Sequence, residues 1–173
     1  MEEINKDVIE QAKNGDERSM SELFQYYKDY VMRSSFLYLH RMEEAEDVTE
    51  NVFFKVFTNL KSFNMDKDFR PWLSRIITNE CHNYFKKNRG DYSNSDDMID
   101  LMASQDSSFE TVKLIQDCFK QLSPSEREIL SLRFYQELTI EEVSNILHIN
   151  VPNVKVKIHR SLKKLKELVK NDA

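Results

Sequence analysis

The chain has 173 residues, 40% of them hydrophobic, which is enough for one or two small cores. Two glycines and three prolines leave too few turn formers for a sheet-rich fold and predict an all-α protein. With a net charge of −5, no apolar run of membrane-spanning length and a charged start (MEEINKDVIEQ) in place of a signal-peptide core, the expected location is the cytoplasm.

Val8, Ile9 and Ala12 predict a short opening helix that Asn14-Gly15 can end. A longer helix is predicted from about Glu17 to Arg41, with Met20, Leu23, Phe24, Tyr27, Val31, Ser35 and Tyr38 on one broad face. Its aromatic load (Phe24, Tyr26, Tyr27, Tyr30, Phe36, Tyr38) reads as core and interface rather than a ligand box. The next segment, Glu43 to Leu60, repeats the pattern through Ala45, Val48, Val52, Val56 and Leu60, and carries Glu43, Glu44, Glu46, Asp47 and Glu50 on its other side. Acids in first turns suit the helix dipole, so this face is either plain solvated surface or a docking surface for a basic partner.

A loop, Lys61 to Arg70, precedes PWLSRIITNECHNYFKKNR, where Pro71 fits a first helical position. Trp72, Leu73, Ile76, Ile77 and Tyr84 can face inward, leaving Arg75, Asn79, Glu80, Asn83, Lys86, Lys87 and Arg89 outward. Asn79 and Asn83, four apart, project side by side. Amides can bond base edges, Tyr84 and Phe85 can stack, and Lys86, Lys87 and Arg89 can hold phosphates, although asparagines on an exposed helix are commonly just solvated. Residues 90–107 lack apolar periodicity and are rich in Asp, Ser and Asn, which predicts a flexible acidic linker of roughly 60 Å when fully extended.

Ser107 and Glu110 then open a helix through Val112, Ile115, Cys118, Phe119 and Leu122, and Ser123 with Glu126 forms a second capping box for a helix through Ile129, Leu130 and Phe134. Thr139 and Glu142 make a third box, and Ile140, Val143, Ile146 and Leu147 mark one apolar face. After His148-Ile149-Asn150, Asn150 can cap a helix beginning at Val151-Pro152. Its inner face is Val151, Val154, Ile158, Leu162 and Leu165; Asn153, Lys155, Lys157, His159, Arg160, Lys163, Lys164 and Lys166 are available outward. A short helix, a tight turn and a basic second helix is the geometry that enters a DNA major groove, whereas the plain alternative is two bundle helices with a solvated lysine face. Charge is segregated: residues 155–170 hold seven basic residues against Glu167, while residues 90–110 hold six acids and no Lys or Arg.

Together these motifs resemble a bacterial RNA polymerase sigma factor of the extracytoplasmic-function (ECF) group in the sigma-70 family, whose members keep two helical domains, regions 2 and 4. The resemblance rests on four stretches in order: Glu44 to Phe53 (EAEDVTENVF), Phe69 to Asn83, Leu122 to Arg127, and Val151 to Arg160. It implies region 2 at 1–89, a linker at 90–107 and region 4 at 108–173. Glu46, Asp47, Glu50, Asn51 and Phe53 would dock on the β′ clamp helices of core RNA polymerase, with further contacts to the β subunit. Phe63, Phe69, Arg70, Trp72, Arg75, Asn79, Asn83, Lys86 and Lys87 would read and open the −10 element of promoter DNA. Asn153, Lys155, Val156, Lys157, His159, Arg160 and Lys163 would read the −35 element. An anti-sigma factor is a further implied partner.

The chain departs from the family pattern at Glu50-Asn51, where Gln-Glu is usual, and at Pro152-Asn153 and Val156-Lys157 in the recognition helix. Val156 can meet a thymine methyl but donates no hydrogen bond. The rival reading is a stand-alone helix-turn-helix regulator, which leaves the acidic helix and the Asn79/Asn83 face without a task. No enzyme, cofactor or metal is expected. Cys81 and Cys118 lie far apart, the histidines at 40, 82, 148 and 159 form no ligand pattern, and no nucleophile motif or glycine-rich phosphate loop is present.

Overall fold

A computed structural model describes residues 4–88 and 117–172, and every regular element among them is helical. Asn5 caps α1 (Lys6–Lys13), which Asn14 and Gly15 end as expected, the glycine taking φ +94°. Asp16 caps α2 (Glu17–Leu39) by accepting from the Ser19 amide at 2.7 Å. His40 closes it in the left-handed conformation, φ 61°, the role more often given to glycine. Then come α3 (Met42–Asn59), a 3₁₀ turn (Leu60–Ser62) and α4 (Phe69–Lys87). Helix α4 starts before the expected Pro71, which sits inside its first turn.

The expected linker and the Ser107 cap lie outside the described residues. Residues 117–120 are helical, followed by α5 (Pro124–Leu130), α6 (Ile140–Leu147) and α7 (Val151–Asp172). The two predicted capping boxes that fall within the described residues form: Glu126 accepts from the Ser123 amide and Glu142 from the Thr139 amide, each at 2.7 Å. The sequence predicts a regular helix through Phe134, but the chain widens into a π turn at Ser131–Tyr135 and then places Glu137 at φ 57°. Arg133 donates to the Leu138 carbonyl at 3.0 Å and the Leu138 amide bonds back to Leu132 across this irregular stretch.

Two cores result. The first joins α1 to α4 around Leu23, Tyr27, Val31, Val52, Val56, Leu73 and Ile77. The second joins Phe119, Leu122, Ile129, Leu132, Val143, Ile146 and Val154, and takes in Leu37 of α2. Tyr135 packs against both. The halves are thus in contact: α2 and α4 meet the C-terminal helices along one side, and the two halves form one packed body.

Candidate nucleic-acid interface

Helices α6 and α7 meet through a turn whose geometry comes from three polar residues. His148 ends α6 with φ 54°, the Ser144 hydroxyl donates to the Ile149 carbonyl at 2.6 Å, and Asn150 accepts from the Asn153 amide at 2.9 Å, the predicted cap. Val154 and Ser161 are buried beneath α7, with Ile158 half-buried, so helical periodicity turns the other side outward. Asn153, Lys155, Val156, Lys157, His159, Arg160 and Lys163 are all exposed. Lys164, expected outward, instead reaches back 2.8 Å to Glu126 and ties α7 to α5.

On α3, Glu46, Asp47, Glu50 and Asn51 are exposed, and the Asn51 amide bonds the Asp47 carbonyl at 2.9 Å. Two expectations for this helix are corrected. Phe53 is buried, its ring 4.6 Å from Phe24, and so supports α3 from beneath; Phe54, 67% exposed, takes the outer position. Asp47, Glu50, Asn51 and Phe54 therefore form one stripe at helical spacing. Glu44 is also buried and paired with Arg41, and burial raises its pKa.

The loop before α4 folds inward more than expected. Phe63 and Phe69 are buried, at ring-to-ring distances of 5.2 to 5.3 Å from each other and from Trp72. Their assignment as DNA contacts is corrected for this conformation: they position the half-buried Trp72 and the loop wall. A cavity of about 490 Å³ opens there, lined by Asn64, Lys67, Trp72 and Arg75 on one side and by Glu142, Asn145 and Ile146 of α6 on the other. A second groove, about 390 Å³, lies between α3 and α4 with Asn79, Asn83, Lys86, Lys55 and Asn59 on its walls. Asn79, Asn83, Lys86 and Lys87 are exposed as predicted, although the Asn83 amide also donates to Glu80 at 3.3 Å.

Arg70 and Arg75 are engaged. Arg70 donates to the Gln136 carbonyl at 2.8 Å and to the Glu137 carboxylate at 3.3 Å, with its guanidinium 5.6 Å from the Tyr30 ring centre. Arg75 donates to the Asn145 carbonyl at 3.4 Å. His82 lies 2.7 Å from the buried Glu128, and that hydrogen bond raises the imidazole pKa against the opposing effect of burial. These partners were not legible from helical periodicity, because they come from the other half of the chain. Cys81 is buried with its thiol pKa pushed up by burial, and His40 is held at about 3 by burial, with Arg127 and Lys120 adding to the effect. Among the described residues no cluster of His, Cys, Asp and Glu is arranged to hold a metal ion, and no helix is long and apolar enough to cross a membrane.

Family models place two matches on this architecture: sigma-70 region 2 over residues 23–90 and sigma-70 region 4 over residues 113–165. The chain is 28% identical to the ECF RNA polymerase sigma factor SigW of Bacillus subtilis, over 99% of this chain and 100% of that one. Two solved structures share the fold. The sigma factor RpoE in complex with the anti-sigma factor NepR from Bartonella quintana has a TM-score of 0.76 at 19% identity, covering 88% of this chain and 98% of that one. CnrH in complex with the cytosolic domain of CnrY has 0.72 at 19% identity, covering 97% and 98%.

Proposed function

From the premise that this chain belongs to the ECF RNA polymerase sigma factors of the sigma-70 family, with regions 2 and 4, we propose how its surfaces divide the work of directing transcription initiation. A sigma factor is not an enzyme; it lends DNA recognition to the polymerase that does the chemistry. Residues 1–89 act as region 2 and 108–173 as region 4, joined by the acidic segment 90–107. The stripe Asp47, Glu50, Asn51 and Phe54, with Glu46 beside it, docks on the β′ clamp helices, its carboxylates meeting basic side chains and Phe54 supplying apolar contact. The exposed face of α7 enters the major groove of the −35 element, where Lys155, Lys157, His159 and Arg160 reach bases or phosphates and Val156 meets a thymine methyl. The groove carrying Asn79 and Asn83 receives the −10 strand, with Lys86 and Lys87 on its phosphates, Trp72 and Arg75 at the loop cavity where an unstacked base is held, and Arg70 free to reach the strand once it leaves Gln136 and Glu137. Unstacking costs a few kcal/mol, which these contacts offset.

The observation that carries this reading is the presence on one chain of three separate exposed faces, acidic on α3, amide-rich on α4 and basic on α7, each on a stretch that matches the family. A stand-alone operator-binding regulator would leave the first two unused. The chain's partners are thus core polymerase, through β′ and β, promoter DNA, and an anti-sigma factor that covers these faces; CnrH and RpoE, which share the fold, are each solved in complex with another protein.

Two variants test the assignment of faces. Asp47→Arg should abolish co-purification with core polymerase while leaving the helical circular dichroism unchanged; retained binding would remove α3 from the docking role. Asn83→Ala should impair promoter opening by the holoenzyme more than its binding to a −35 duplex, and equal loss in both assays would contradict the −10 assignment.

A further inference from the structure

The irregular backbone at 131–137 has no role in the surfaces described above, yet it is built in detail. The π turn Ser131–Tyr135 moves the following residues out of helical register. Glu137 then holds a left-handed backbone, φ 57°, without being glycine, a conformation that persists only where surrounding contacts enforce it. Those contacts converge on α2 and α4. Buried Gln136 spans Ser131 at 3.3 Å and the Tyr30 hydroxyl at 3.4 Å, and Tyr30 in turn shares a 3.0 Å hydrogen bond with Ser74. Tyr135 stacks on Tyr30 with ring centres 6.0 Å apart and planes 20° apart. The result is a socket: the Gln136 carbonyl and the Glu137 carboxylate face Arg70, and the Tyr30 ring lies beneath its guanidinium.

Its position decides its consequence. Closing the socket sets Glu142, Asn145 and Ile146 of α6 as one wall of the cavity that holds Trp72 and Arg75, with the Asn145 carbonyl accepting from Arg75. The basic face of α7 and the acidic stripe on α3 stay exposed in the same conformation. We propose that the 131–137 socket is an autoinhibitory latch that captures Arg70, so that the polymerase-free chain keeps Arg70 and Arg75 occupied and α6 against its base-holding cavity while its docking face stays available. Docking comes first; the halves then separate, and Arg70 exchanges its carbonyl and carboxylate for the promoter strand. The inhibitory consequence rests on the −10 reading above; the closure does not.

Trp72 is the chain's one tryptophan and lines the cavity that α6 walls on its far side, so it reports the latch without a label. The variant is Glu137→Arg, at a side chain 60% exposed, which sets a like charge against Arg70 and leaves the reading residues intact. In the full chain it should lower the closed-to-open ratio by roughly fivefold. Acrylamide quenching of Trp72 should then increase, the small-angle scattering radius should grow, and far-UV circular dichroism should stay the same. The free variant should also bind a fluorescein-labelled single-stranded oligonucleotide pool of random sequence more tightly than the wild-type chain. Unchanged Trp72 quenching and radius would overturn the latch. An opened chain with unchanged strand binding would overturn its inhibitory role. If instead Asn83→Ala leaves promoter opening by holoenzyme intact, the −10 reading fails while the fluorescence result for closure stands.

Discussion

Val156 and Arg160 stand four residues apart on the exposed side of α7, one apolar and one cationic. If Arg160 neutralises a phosphate, Arg160→Ala should weaken −35 duplex binding similarly across sequences and reduce the slope of log affinity against log salt by about 1, measured by anisotropy titration. An unchanged slope would remove it from the contact surface. Two histidines make opposite pH predictions. His82 is raised by its bond to Glu128, so the stability it contributes is complete below the ordinary imidazole value of about 6.5 and fades as pH rises through the raised folded value. His40 is held at about 3 by burial and stays neutral, so stability falls as pH drops below about 6.5, where only the unfolded chain gains the proton. His82→Gln should therefore flatten the alkaline limb of a urea-midpoint against pH curve and leave the acid limb in place. At this scale the sequence was legible for exposed side chains on α7 and poorly legible for neighbours such as Phe53 and Phe54. Both lie within the span of one helix face, and only packing against Phe24 decides which is buried.

Elements read well from local chemistry because their ends depend on local chemistry. The boxes at Ser123/Glu126 and Thr139/Glu142, the Asn150 cap and the Asn14-Gly15 stop all form where their side chains predict. Thr139→Ala should cost about 1 kcal/mol, read as a lower urea midpoint with an unchanged m-value; no change would mean that the helix is set by packing alone. Where tertiary contacts set the backbone, the reading stopped short. The π turn at Ser131–Tyr135 and the left-handed His40, His148 and Glu137 carry no glycine signal, and Gln136 and Tyr30 show their purpose only when both halves are in place.

For the whole molecule, an acidic total limits non-specific affinity for DNA despite the basic α7, since that affinity grows with the number of phosphates neutralised. The family and its two regions were legible because four motifs occur in order. The packing of one region on the other was not, because the pairs Arg70–Gln136 and His82–Glu128 join residues far apart in sequence. The most direct measurement is run-off transcription by core polymerase with and without this chain, on a set of promoter-bearing templates. Discrete transcripts that need the chain, and that disappear with Asp47→Arg, are the predicted result. Binding of DNA by the chain alone with no chain-dependent transcript would contradict the account.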